Sequence, residues 1–206
     1  MRAKKNILLI IIVGFFVACS ASMDKPKTSW VIGSDLDSAS IIVLPFENQT
    51  SDMAGPEMLR EMIFDGFSKK GYQTLAIKEI DDKLREKGIT DGGQLPYISE
   101  GVLKEVFGPK LACYGTVESF TFQNLGFIVR KKVVLNIKIV SLADDKVVFE
   151  VTGTGSDTKF FLAKDEAKKA FVEQMAVKLV SNMLKSPLKK EAQEAVKKIF
   201  KKIPKR

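Results

Sequence analysis

The apolar positions of this chain change period several times between Ile41 and Ser156, and each change predicts an element. Ile41-Ile42-Val43-Leu44-Pro45-Phe46 is a continuous apolar run that stops at Glu47-Asn48-Gln49-Thr50, the pattern of a strand buried on both faces. Pro45 limits the ladder at its end, because it has no N–H to donate. Met58, Leu59, Met62, Ile63 and Phe67 then fall on one helical face, predicting a helix from about Pro56 to Lys70 with Gly71 as its stop. Tyr72 to Ile77 reads as a second strand, and Ile77, Ile80, Leu84 and Ile89 as a short helix closed by Gly88. Asp91-Gly92-Gly93 is a loop signal, and a helix from about Ile98 to Phe107 ends at Gly108-Pro109.

From Leu111 the rhythm becomes that of strands. Leu111 to Phe122, Phe127 to Leu142 and Val147 to Gly155 are joined by Gln123-Asn124-Leu125-Gly126 and Ala143-Asp144-Asp145-Lys146, both suited to tight turns. Val133, Leu135, Ile137 and Ile139 alternate with Val134, Asn136, Lys138 and Val140, so one face is drier than the other and an antiparallel meander is expected. A long helix over about Ala163 to Lys185 carries Phe171, Met175, Leu179 and Met183 as a stripe able to cover a sheet. This order of elements predicts an α/β fold, a mixed sheet with helices packed against it.

The two ends of the chain follow other rules. Arg2, Lys4 and Lys5 precede an apolar run, Ile7 to Val17, and Ala18 stands before Cys19, the layout of a cleaved secretory signal over residues 1–18. A cysteine at the cut resembles a bacterial lipobox, which implies that Cys19 becomes the lipidated first residue. The apolar run is about a dozen residues, short of the roughly 20 that a spanning helix needs. Residues 19–40 read as a tether ahead of a domain over 41–185. Ser20, directly after the cysteine, is similar to the enteric sorting signal for the outer membrane, which implies an outer-membrane lipoprotein with a periplasmic domain. In residues 186–206, Leu188, Ala192, Ala195, Val196, Ile199, Phe200 and Ile203 recur at helical spacing among lysines, predicting a basic amphipathic helix begun by Pro187. That helix either packs on its own domain or uses Lys189, Lys190, Lys197, Lys198, Phe200, Lys201 and Lys202 to touch anionic lipid or an acidic partner.

Charge and composition narrow the chemistry. The net charge is +8, but the signal carries three basic residues and the tail eight against two acidic ones, so the body between them is near −1. That argues against nucleic acid as a partner. Histidine is absent, which removes Ser-His-Asp and Cys-His catalysis and imidazole metal sites. Beyond Cys19 the remaining thiol is Cys113, inside the apolar run Leu111-Ala112-Cys113-Tyr114, where a core residue is expected. Glu47, Asp52 and Glu57 lie near the carboxyl end of the first strand, where open α/β sheets bind ligands, though no phosphate loop accompanies them. Gly153-Thr154-Gly155 lacks dinucleotide spacing. Asp81 and Asp82 are expected to favour the positive end of a helix. No cofactor, metal site or catalytic residue is expected from these patterns.

Ile41 to Thr50, IIVLPFENQT, is similar to the opening strand of the TolB N-terminal domain and of the curli-secretion lipoprotein. KGYQTLAIKEID, GITDGGQLP, VFGPKLACYGTVESF and KIVSLADDKVVFE extend a closer resemblance, over about Ile41 to Ser156, to a family of bacterial lipoproteins of unknown function that includes a meningococcal surface antigen. The tail after Ser186 is expected to be peculiar to this chain. The resemblance implies a lipid-anchored, non-enzymatic accessory that binds itself or another envelope lipoprotein in assembly, secretion or transport. A regulator of peptidoglycan synthesis, resembling the penicillin-binding-protein activators, is the alternative. A tether of about 20 residues averages roughly 25 Å as a flexible coil, which is short for reaching through a wall and favours the accessory.

Overall fold

The computed structural model describes residues 40–125, 128–160 and 188–206. The signal, Cys19, the tether up to residue 39 and the helix expected over Ala163 to Lys185 lie outside the described residues. Within them the elements run β1 (Ile41–Val43), β2 (Glu47–Asn48), α1 (Gly55–Lys69), α2 (Ile77–Glu86), a 3-10 turn (Gly92–Tyr97), α3 (Glu100–Phe107), β3 (Leu111–Asn124), β4 (Ile128–Ser141), β5 (Lys146–Phe160) and α4 (Lys189–Phe200).

The sheet has five strands in the order β1-β3-β4-β5, with β2 continuing β1 along the same side of β3. β1 and β2 pair with β3 in parallel, whereas β3, β4 and β5 form the expected antiparallel meander. Its tight turn places Asp145 at φ 56°, a left-handed conformation that aspartate tolerates. Between Val117 and Ser119 the register slips by one residue. This bulge keeps Phe120 and Phe122 packed on the same core as Val117, although their spacing from it is odd.

One face of the sheet is built from Ile41, Val43, Leu111, Cys113, Val117, Leu135, Ile137, Ile139, Phe149 and Val151, all buried under Leu59, Ile63 and Phe67 of α1 and Ala192, Ala195 and Ile199 of α4. The other face buries Ile42, Leu44, Ala112 and Leu142 under Ile80 and Leu84 of α2 and Leu103 and Phe107 of α3. Among the described residues, that second layer covers only the β1 side. Farther across, Thr116, Asn136, Lys138 and Glu150 are half-buried and Thr152 is exposed.

Two expectations are corrected. Tyr72 to Ile77 is no strand: only Thr74 bridges to Ile41. The reason is that both ends of the segment serve helices. Tyr72 donates its N–H to the Phe67 carbonyl to close α1, with Gly71 at φ 91°, and Ile77 already opens α2. Asp81 and Asp82 consequently sit one turn inside α2 and do not begin it. Asp81 instead receives the guanidinium of Arg60 at 2.7 Å, and Asp82 pairs with Lys78 and Arg85, which hold its carboxyl below the usual range. Of the two readings of the tail, its apolar stripe follows the first and packs on the domain. Leu188, Ala192, Ala195, Val196, Ile199 and Ile203 complete the main core, because one sheet face of this width needs more cover than α1 alone provides.

The fit of α4 depends on two glycines of β5. A Cβ at Gly153 would collide with the Ala195 carbonyl and the Ile199 side chain, and one at Gly155 with the Glu191 carbonyl. Gly153-Thr154-Gly155 is thus a landing strip for a helix backbone. Beside it, Lys198 donates to the Thr154 carbonyl at 2.7 Å and pairs with Glu194, occupying part of the outer edge of β5.

Candidate functional site

Arg60 is the structural residue that the sequence pattern hides. It lies on the buried side of α1, 2% exposed, and donates to the Val43 carbonyl from Nε and Nη2 while both Nη atoms reach Asp81. One guanidinium therefore fixes the end of β1 against α1 and α2. The chain then turns at Leu44-Pro45 and sends Phe46 and Glu47 along β3. Gly92 packs its backbone directly on the Phe46 carbonyl and the Glu47 N–H, leaving no room for a side chain. Asp91 accepts from the Gly93 N–H at 2.6 Å, and Gln94 accepts from the backbone of Thr90 and Asp91. This reciprocal cap holds the 3-10 turn rigid and presents Tyr97, 90% exposed, at its end.

Below Tyr97 lies a cleft of about 540 Å³ between the 3-10 turn and the half-covered sheet face. Its floor is Tyr114, Thr116, Asn136, Lys138 and Glu150, and its rim includes Glu47, Tyr97, Ser99 and Glu100. Lys138 Nζ stands 5.1 Å from the Tyr114 ring centroid, within cation–π range. The Tyr114 hydroxyl is buried without a hydrogen-bond partner. Burial pushes its pKa up to about 12, with the Glu100 and Asp145 charges adding to the effect. Glu47 accepts from Thr116 Oγ1 at 3.3 Å and from Gln49 Nε2 at 3.1 Å. Three carboxylates against one ammonium make this an acidic, polar recess.

The carboxylates singled out in the sequence do not converge. Glu47 reaches the cleft, but Asp52 accepts from the N–H groups of Ala54 and Gly55 at 3.0 and 2.7 Å and so caps the start of α1. Glu57 is exposed, 3.9 Å from Arg60. Cys113 is fully buried in the main core, and burial pushes its thiol well above the ordinary value. Among the described residues no cluster of three His, Cys, Asp or Glu side chains could hold a metal. No described helix is long and apolar enough to cross a membrane.

The tail residues separate into two groups. Lys189, Lys190, Lys197, Lys201 and Lys202 are exposed, as the contact reading requires, and Lys198 is engaged with Glu194 and Thr154. Phe200 differs: its ring sits over Gly66 and meets Phe67 edge-on at 5.1 Å, so it serves the domain's own packing. Sequence reading missed Tyr97 because nothing periodic surrounds it. The polar alternation at Asn136 and Lys138 was the visible signal for the cleft floor.

A family model described as "Putative lipoprotein GNA1162-like" matches residues 34–204, and the chain belongs to that family. The match runs through the tail, which corrects the expectation that the tail is peculiar to this chain. Among solved structures, lipoprotein GNA1162 from Neisseria meningitidis is similar with a TM-score of 0.55 at 16% identity, covering 69% of this chain and 99% of that one. At that identity the likeness speaks for the fold alone. The PelC dodecamer from Paraburkholderia phytofirmans (TM-score 0.46, 11% identity, 82% of this chain and 89% of that one) and the LpoB C-terminal domain from Salmonella enterica (0.39, 10%, 57% and 82%) are looser likenesses that carry no argument. No curated protein matches.

Proposed function

We propose that this member of the family is a lipid-anchored accessory of the bacterial envelope that works by binding another protein, not by catalysis, with the acidic cleft beneath Tyr97 as its contact site. The carrying observation is the exposed Tyr97, held by a rigid capped turn over a sheet face that α2 and α3 leave half uncovered. An exposed aromatic on a fixed support beside polar groups is the kind of residue that dominates protein contacts, since little ordering is needed on binding. The family match supports anchorage, and Cys19 followed by Ser20 supports the outer membrane as its place. Asp52 spent on a helix cap and Cys113 sealed in the core support binding over chemistry.

The test is crosslinking in native cells, detergent extraction through a tagged copy, and mass spectrometry of what is attached, with Tyr97→Ala in parallel. Copies of the chain itself or a secretion or transport lipoprotein, lost in Tyr97→Ala, are expected. Peptidoglycan synthases in their place would move the protein to the cell-wall regulators. Turnover that disappears in a folded Glu47→Gln variant would make it an enzyme.

A further inference from the structure

The end of the domain at which the chain enters the fold is also the end at which α1 and α4 finish. Ile41 donates its N–H to the Gln73 carbonyl, immediately after α1 closes at Gly71-Tyr72. The tail returns to the same place: Lys70 Nζ donates to the Ile203 carbonyl at 2.5 Å, the Tyr72 hydroxyl to the Pro204 carbonyl at 3.3 Å, and the Arg206 N–H to the Lys70 carbonyl at 2.9 Å. Arg206 stacks over the Tyr72 ring at 4.6 Å. These contacts gather Lys69, Lys70, Lys201, Lys202, Lys205 and Arg206 beside Ser40, the first described residue. Lys69, Lys201, Lys202 and Lys205 are exposed and have no ion pair among the described residues. Glu61 and Asp65 of α1 line a groove between α1 and α4 together with Lys69, Lys70 and Lys205, and Asp144 and Asp145 lie at the same end on the turn between β4 and β5, the strands α4 packs on, with Asp144 paired to Lys146 at 2.7 Å.

We infer that this lysine-rich end docks on an anionic lipid surface, laying the domain against the membrane from which its tether rises. Two observations carry it. The cations cluster where the chain leaves for Cys19, 21 residues earlier, so a lipid on Cys19 keeps this end, and not the far tips of β3 and β4, within reach of headgroups. Those tips lie roughly 45 Å away at strand rise. The apolar stripe of α4 is already used by the core, so what remains outward is charge without an inserting face, suited to headgroups and not to burial in acyl chains. The cleft under Tyr97 stays outside the patch, free for a partner. The inference rests on the lipid-anchor reading for its biological setting, but its physical content is separable.

The experiment uses the full chain with Cys19→Ser, which cannot be acylated, and vesicles of phosphatidylcholine alone or with about one-third phosphatidylglycerol. Lys201→Gln, Lys202→Gln and Lys205→Gln together are compared with a charge-matched set at the far end, Arg130→Gln, Lys132→Gln and Lys159→Gln. Stronger binding to the anionic vesicles is expected, falling at least about tenfold in the tail set, and less than about twofold in the far set. High salt removes the difference between vesicle types. Equal binding to both vesicle types, or equal loss from both sets, overturns the inference. So does unchanged vesicle binding by a tail set that loses a crosslinked protein in cells, which assigns the patch to an acidic protein. Mass spectrometry of Cys19 from native cells tests the anchor separately: an unmodified cysteine removes the lipoprotein reading and leaves the vesicle result intact.

Discussion

The two faces of the sheet come from alternating residues of the same strands, yet they are finished differently. On one face Leu135, Ile137, Ile139, Phe149 and Val151 are buried under α1 and α4, and even the backbone of α4 touches β5 at Gly153 and Gly155. On the other, α2 and α3 cover Ile42 and Ala112 but stop short of Asn136, Lys138 and Glu150. The closed face holds the fold together, and the half-open one, which leaves polar groups accessible, is the contact face we propose. Substitutions on the first should therefore change stability, and substitutions on the second should change binding.

The sharpest way to break the closed face is Gly155→Val. Its side chain must displace the Glu191 carbonyl, and overpacking against a helix backbone is expected to cost about 3 kcal/mol or more in denaturant unfolding. Ile199→Ala, which empties a fully buried position of the same helix, should cost about 2–4 kcal/mol. Arg60→Met leaves the Val43 carbonyl without its donor and Asp81 without its cation. Because the Asp81 side chain is 32% exposed, about 2 kcal/mol is expected, below the range for a fully buried pair.

On the half-open face the effects shrink. Tyr114 keeps its proton in the fold to about pH 12, against about 10 when unfolded, so its contribution is complete below pH 10 and is lost as pH rises from about 10 to 12. Tyr114→Phe should flatten the fall of stability across that window, measured against the wild type at matched denaturant. Tyr97→Ala should shift stability by less than about 0.5 kcal/mol while removing the crosslinked partner.

The same contrast explains what the sequence made legible. Elements with a long apolar period, such as α1, the meander and α4, were readable because one face had to be buried. Where a few residues carry several jobs the pattern is silent. Tyr72 closes a helix while looking like a strand residue, Arg60 sits buried at a helical position that charge alone assigns to solvent, and Gly153 and Gly155 signal a close helix only once the helix is in place. Tyr97 owes its exposed position to the turn held by the Asp91–Gln94 cap, a local hydrogen-bond arrangement without periodicity.

The most direct measurement is site-specific photo-crosslinking in cells, with a photoreactive phenylalanine analogue at position 97 on the half-open face or at the exposed position 193 on α4. Partner adducts from 97 and not from 193 are the predicted result. Adducts from 193 alone would place binding on the helical face and contradict the division of labour between the two sides of the sheet.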